Sequence, residues 1–423
     1  MVDSADSVSQ GYATSMRKKS FLFLQGVCSP FFAHLADLLL EEGHRITRVC
    51  FTGGDWLYWT PRRALHYRGG LAGLPAYMAE VLRRYDVSDL VVFGDQRPVH
   101  RPAIALAQQH GVAVHVFEEG YFRPFWVTLE RGGVNAHSTL PRNPAWYLEV
   151  ASTLPAQPAP VCFRSPFRVR AFHDVAYHVG GLVNPLLYPG YRTHAPVTAP
   201  VEYAGYMTRF LRLPLWRRSD ARQIDELLQR RQPFFLLPLQ LNGDAQIREH
   251  SRFESMQTVI HRVMRSFSLH APSNAVLVIK NHPLDMGLTP YRRYISTLVH
   301  RFGLLGRVLY LESGDLQRLL DGAAGTVMVN STVGAVALER GCPTLALSDP
   351  IYNLPGLTFQ GPLDSFWRDA APPDPELVRA FRTVVIHGTQ INGGFYCRTG
   401  IKLCAANALP VLTAEKSPLE AMG

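Results

Sequence analysis

The chain has 423 residues, more than one ordinary hydrophobic core holds, so two domains are expected. Hydrophobic residues make up 47% and charged residues 18%, which excludes a disordered polypeptide. The formal charge of +9, mostly arginine, favours an anionic partner: a nucleotide, a phospholipid surface or a nucleic acid.

At the N-terminus, residues 1–19 are polar, and the apolar run Phe21 to Leu24 is too short for a signal peptide. That run is predicted as a first strand. In the turn that follows, Gln25-Gly26 to Pro30, the glycine allows backbone to approach a ligand. The turn is neither a Walker A loop nor a GxGxxG fingerprint. Cys28, Cys50, Cys162, Cys342, Cys397 and Cys404 lie far apart, so no zinc knuckle or redox couple is expected and the thiols read as reduced and cytoplasmic. A helix is predicted from Phe31 to Glu42, stopped by Gly43, and a strand from Arg45 to Phe51, closed by Gly53-Gly54-Asp55. A helix from Leu74 to Tyr85 leads to a buried strand from Leu90 to Phe93, with Gly94-Asp95-Gln96-Arg97 at its carboxyl end. After a helix from Pro102 to His110, a strand from Val112 to Phe117 runs into Glu118-Glu119-Gly120. Strands alternating with helices predict a parallel, doubly wound α/β sheet, whose ligand crevice lies beyond the carboxyl ends of the strands. Two carboxylates there suit acid–base work; an acidic loop solvated at a strand end reads equally well.

Between residues 155 and 231 the rhythm breaks. Eleven arginines, no lysine and five acidic residues mix with aromatics, as in Phe167-Arg168-Val169-Arg170 and Leu215-Trp216-Arg217-Arg218. The segment reads as an interdomain linker with a basic face, or as a contact with anionic lipid. No nucleic-acid-binding module is visible.

The α/β pattern then resumes. Strands are predicted from Pro233 to Leu239, Val276 to Ile279, Val308 to Leu311, Gly325 to Val329 and Pro343 to Leu347. Helices are predicted from Arg252 to Phe267, Gly334 to Arg340 and Pro375 to Ile386, the last crossing back toward the first domain. The expected division is 1–160 and 232–370 as two Rossmann-type domains facing a cleft, 161–231 as a basic linker or insertion, and 371–423 as a helix and tail. Asp244, beyond Gln240 in a polar loop, reads either as a cleft carboxylate or as a helix cap. Lys280-Asn281-His282-Pro283 stops a strand with two donors suited to a phosphate. Ser331 and Thr332 open a helix, where hydroxyls and free amides bind anions or simply cap. No Asp-x-Asp metal grip on a nucleotide diphosphate is present. A CMP-activated sugar needs less, since one phosphodiester charge is met by Lys, His and a helix terminus.

Together, Phe23-Leu24-Gln25-Gly26, Phe51-Thr52-Gly53-Gly54-Asp55, Phe93-Gly94-Asp95-Gln96-Arg97-Pro98 and Glu118-Glu119-Gly120-Tyr121-Phe122-Arg123-Pro124 resemble the KpsS/LipB family of capsule polysaccharide biosynthesis and export proteins. Pro238-Leu239-Gln240, Lys280-Asn281-His282-Pro283-Leu284-Asp285 and Asn330-Ser331-Thr332-Val333-Gly334 extend the likeness through the second half. The acidic-acidic-Gly and His-Pro motifs also resemble those of GT-B sialyltransferases. The resemblance implies a GT-B fold and a retaining β-Kdo transferase. Its donor would be CMP-Kdo, with no metal or other cofactor, and its acceptor a (lyso)phosphatidylglycerol that becomes the glycolipid anchor of a capsule. Glu118 or Glu119 would then be the general base. His282 and Lys280, with Pro283 and Gln240, would hold the leaving CMP, and Ser331 and Thr332 would close around it. Double displacement would need a carboxylate nucleophile, for which Asp244 is the first candidate and Glu119 the reserve. Arg123 would meet the sugar carboxylate, with Gln25, Gly26, Asp55, Asp95 and Arg97 on the acceptor side. The chain departs from the family pattern at Thr52, where Asn is expected, and at Asn281, between the lysine and histidine. The expected place is the cytoplasmic face of the inner membrane, beside capsule-synthesis enzymes and without nucleic acid. Another donor or acceptor, or a non-catalytic scaffold, are the alternatives.

Overall fold

The computed structural model describes residues 18–192, 199–241, 251 and 253–423. Two sets of short strands, the central ones apolar and buried on both faces, form two sheets. In the first, β1 (Ser20–Phe23), β2 (Arg45–Cys50), β3 (Leu65–His66), β4 (Asp89–Phe93) and β5 (Ala113–Glu119) run parallel, and β6 (Trp126–Arg131) folds back antiparallel to β5. In the second, β7 (Phe234–Pro238), β8 (Val276–Lys280), β9 (Val308–Leu311), β10 (Gly325–Met328) and β11 (Thr344–Ala346) are all parallel, in the order β11-β10-β7-β8-β9. Parallel sheets need helices on both faces, and β4 and β8 are accordingly buried at every residue. The chain is thus α/β, with the two Rossmann-type domains of a GT-B-like fold.

Helices cover these sheets through apolar stripes. Met256, Val259, Ile260, Val263 and Phe267 on the helix Met256–His270 enter the core of the second sheet, and Ser255 caps that helix by accepting from the Thr258 amide. The helix Pro375–Thr389, capped by Asp374, lies along Pro144–Thr153, where Tyr147 meets Phe381 at a ring separation of 5.2 Å. It carries the chain back to the first sheet, where β12 (Gln390–Asn392) pairs antiparallel with β6 as the edge strand. The helix Arg398–Thr413 then packs beside Phe31–Glu41; Phe395, Ile401, Cys404 and Leu412 share a core with Phe31, Leu35, Phe93 and Phe117.

The segment expected as a basic linker is largely helical. Phe167–Gly180 packs on the first domain, and Ala199–Gln229, with Pro214 inside it, reaches the second. Phe51-Thr52-Gly53-Gly54-Asp55 is a strand end followed by a short helix, Gly53–Leu57, whose Thr52 hydroxyl accepts from the Asp55 amide at 3.0 Å.

Gly120 explains why the two carboxylates of β5 are followed by glycine. A Cβ there would stand 2.0 Å from the Trp126 carbonyl oxygen on β6. Gly120→Ala is therefore expected to lower stability by roughly 1–3 kcal/mol. The check is a shifted urea midpoint at unchanged slope.

Candidate functional site

The β8 strand ends at Lys280, and the turn after it is held from two sides. Asn281 Nδ2 donates to Asp285 Oδ2 at 3.3 Å and to Glu312 Oε2 at 3.0 Å, while its Oδ1 accepts from the His282 amide at 2.8 Å. Arg209, from Ala199–Gln229, reaches the same carboxylates at 3.3 and 3.1 Å and also donates to the carbonyls of His282 and Glu312. Asp220, about three turns further along that helix, accepts from the amides of Glu312 and Ser313 at 3.0 and 2.9 Å. Sequence reasoning did not find Arg209, Asp220 or Glu312: the first two lie in a basic segment whose apolar stripe points mostly to solvent, and Glu312 follows β9 without a motif of its own.

Within this frame His282 Nδ1 accepts from the Leu284 amide at 3.1 Å, so the neutral ring carries its proton on Nε2. Burial, followed by the charges of Lys280, Arg123 and Arg209, pushes the imidazole down to about 4. Lys280 is buried, and its ammonium donates to the Asn281 carbonyl at 3.4 Å. Burial, then Arg209, lowers its pKa from the ordinary lysine value. Arg123 follows β5 in the first domain.

The end of β5 carries the two adjacent carboxylates. Glu118 Oε1 accepts from the Glu119 amide at 3.0 Å, and Oε2 lies against Gly94, whose φ of +70° lets β4 turn away without a side chain in between. Glu119 Oε1 is 3.4 Å from Arg170, which stacks on Tyr396 at 4.8 Å. Arg123 Nε donates to the Gly120 carbonyl at 3.3 Å, with its side chain exposed. Tyr121, Asn135 and Ala136 of the first domain face Asn330, Thr332 and Ile351 of the second across the cleft. Thr332 begins the helix Val333–Glu339 without a side-chain cap bond, whereas Ser331 Oγ accepts from the Val333 amide at 3.2 Å. Gln240 and Asn330 exchange hydrogen bonds at 3.0 and 3.3 Å, which ties the end of β7 to the loop after β10. Arg142 fastens the cleft's edge by donating to the Pro350 carbonyl at 2.6 Å. Pro283 sits exposed in the turn. Asp244 lies outside the described residues.

Of the acceptor-side candidates, Gln25, Gly26, Asp55 and Arg97 form one network. Asp55 is 2% exposed, and its oxygens accept from the Phe51 amide and the Tyr177 hydroxyl, both at 3.0 Å. Gln25 Nε2 donates to Tyr177 at 3.0 Å and Arg97 to the Gly26 carbonyl at 2.9 Å. Their spacing serves a helix contact: a Cβ on Gly53 would be 2.0 Å from the Gly180 carbonyl, and one on Gly54 2.6 Å from Tyr177. Asp95 instead accepts from the imidazole of His137 at 3.0 Å, beside Asn135 in the cleft wall.

Glu130 is a further group that sequence did not single out. It accepts from the Tyr121 hydroxyl at 2.7 Å and from Ser138, and so fixes Tyr121 in the cleft. Burial raises its carboxyl to about 7.

The model of a family described as "Capsule polysaccharide biosynthesis protein" matches residues 88–396. The capsule polysaccharide export protein KpsS of Escherichia coli is 35% identical over 381 residues, covering 89% of this chain and 97% of that protein. The capsule polysaccharide modification protein LipB of Neisseria meningitidis serogroup B is 34% identical over 389 residues, covering 89% and 92%. Among solved structures, Thermosulfurimonas dismutans KpsC, described as a beta Kdo 2,7 transferase, aligns with a TM-score of 0.40 at 14% identity, over 86% of this chain and 89% of that one.

Two predictions follow from the site's buried charges. Arg209→Ala strands two buried carboxylates and is expected to destabilise the protein by roughly 3–5 kcal/mol in urea unfolding. Glu130 binds a proton more tightly folded (about 7) than at its ordinary value of 4.5. Its contribution to stability is therefore full below 4.5 and lost as pH rises through 7. Glu130→Gln should flatten the stability profile between those limits, and an unchanged slope there would place the titration elsewhere.

Proposed function

Because the chain belongs to the capsule polysaccharide biosynthesis family, we propose that it is a glycosyltransferase that moves β-Kdo from CMP-Kdo to a (lyso)phosphatidylglycerol acceptor. The product would prime the glycolipid anchor of a capsular polysaccharide. The observation that carries this reading is the His282 turn: a neutral imidazole with a donor Nε2–H, next to the Lys280 ammonium at the end of β8. A leaving phosphate gains charge as the anomeric carbon–oxygen bond breaks, and preorganised donors stabilise that charge without reorganising. A neutral imidazole also keeps its donor role through ordinary pH, because its own titration lies far below 7. Lys280 adds a point charge, and Thr332 closes from the second domain.

In this reading Glu118 or Glu119 takes the proton of the attacking acceptor hydroxyl. The Arg170 pair holds Glu119, which favours Glu118 as the base. Retention by double displacement would need a carboxylate nucleophile, for which Asp244 is the first candidate and Glu119 the reserve. Arg123 is suited to the sugar carboxylate by its exposed guanidinium at the cleft edge. Neither a metal nor another cofactor enters this scheme. Since the acceptor is a lipid, the protein would work peripherally at the cytoplasmic face of the inner membrane, with other capsule-synthesis enzymes. No helix among the described residues is long and apolar enough to cross a membrane.

The test is incubation of purified protein with CMP-Kdo and a lyso-phosphatidylglycerol, following CMP release and product mass together. The expected product is heavier by one Kdo. Two added residues would mark an extending enzyme, and CMP-Kdo binding without product would overturn the acceptor. Neither binding nor turnover would leave a scaffold. His282→Ala and Glu118→Gln should each lower kcat by about 100-fold or more while circular dichroism stays unchanged.

A further inference from the structure

Two neighbouring helices turn apolar side chains to solvent at helical spacing. On Phe167–Gly180 and the turns after it, Phe172, Val175, Val179, Leu182 and Leu186 recur every three or four residues and are 45–81% exposed. On Ala199–Gln229, Met207, Leu211 and Leu215 recur every four residues and are at least 69% exposed, with Phe210 beside them. The helices touch where Tyr203 donates to Asp174 at 3.0 Å and its ring meets His178 edge-on. Each stripe lies on a face turned away from the domain its helix grips. Arg170, His173 and Tyr177 bind the first domain, and Arg209 and Asp220 bind the second.

Exposed apolar side chains in such continuous rows mark an interface. Their flanking charges say with what. Arg164, Arg168, Arg212, Arg217 and Arg218 are exposed, and among the described residues none of them pairs with a carboxylate. A protein partner would need a matching acidic and apolar surface. A bilayer offers both features at once, as acyl chains below and phosphates at the level where arginine side chains reach.

We propose that the outward faces of Phe167–Gly180 and Ala199–Gln229 dock on an anionic phospholipid surface. Phe172, Leu186, Leu211 and Leu215 enter the headgroup boundary, while Arg168, Arg212 and Arg217 engage lipid phosphates. This deepens the transferase reading, on which it rests for the purpose of docking, but it names a surface that binds without donor or turnover.

The experiment is sedimentation of the full chain with vesicles of phosphatidylglycerol and phosphatidylethanolamine, against vesicles of phosphatidylcholine alone, with no CMP-Kdo present. Binding is expected only to the anionic vesicles and should fall as salt rises. Leu186→Ser with Leu211→Ser should reduce partitioning at least tenfold, and Arg212→Ala or Arg217→Ala about fivefold each. Circular dichroism of these variants should match the parent, because every changed side chain is exposed. Equal binding to both vesicle types, or unchanged binding by the leucine variant, overturns the proposal. So does a self-associated species in ultracentrifugation that the leucine substitutions abolish, which would make the surface a contact between copies. Vesicle binding without sugar transfer would sink the transferase reading alone. Transfer to a detergent-dispersed lipid without vesicle binding would sink the docking surface alone.

Discussion

The buried guanidinium of Arg209 is the contact on which the second domain's edge depends. It meets Asp285 and Glu312, and the Asn281 amide bridges the same pair. Two carboxylates withdrawn from water repel each other and lose hydration, so they persist only where a cation and several donors surround them. A planar fork that reaches both carboxylates and two backbone carbonyls meets that requirement, where a lysine ammonium would meet part of it. Asn281 thereby acquires a role. Its side chain joins the carboxylates to the His282 amide and sets the angle at which the imidazole leaves the strand.

Charge is unevenly divided between the ends of the two sheets. The β8 end gathers Lys280 and Arg209, and Arg123 of the first domain adds to them, so that His282 stays neutral among cations. The β5 side presents Glu118 and Glu119, one bonded to its neighbour's amide and the other paired with Arg170. Tyr121 is fixed by Glu130, and Asn330 and Thr332 face it from the second domain.

The sheet strands were legible because strands buried on both faces read as unbroken apolar runs: Asp89–Phe93 and Val276–Lys280 sit close to where periodicity put them. The strand ends were legible for the same reason: Glu118 and Glu119 close β5, and Lys280 closes β8 just before His282. The helix Ala199–Gln229 was not. Its buried face carries Gly205, Arg209 and Asp220 before the apolar Ile224 and Leu227 near its end, so most of its length shows no apolar stripe toward a core, and its longer stripe points outward. Asp55 shows the converse limit. A carboxylate after two glycines at a strand end looks ligand-facing, but which neighbour uses the space the glycines leave depends on Tyr177, over a hundred residues away.

The path of the chain after Thr389 has a consequence for how the protein is made. Residues 390–413 supply the edge strand of the first sheet and the helix that covers Phe31–Glu41, yet they follow the whole of the second domain in sequence. Domains generally fold in the order in which they are synthesised. Here the first to leave the ribosome is the last to be completed. Its phenylalanine-rich face, with Phe31, Phe93 and Phe117, stays open to solvent or a holding chaperone while the second domain forms. Translation through Thr413 is thus the event that seals the first domain and fixes both walls of the cleft together.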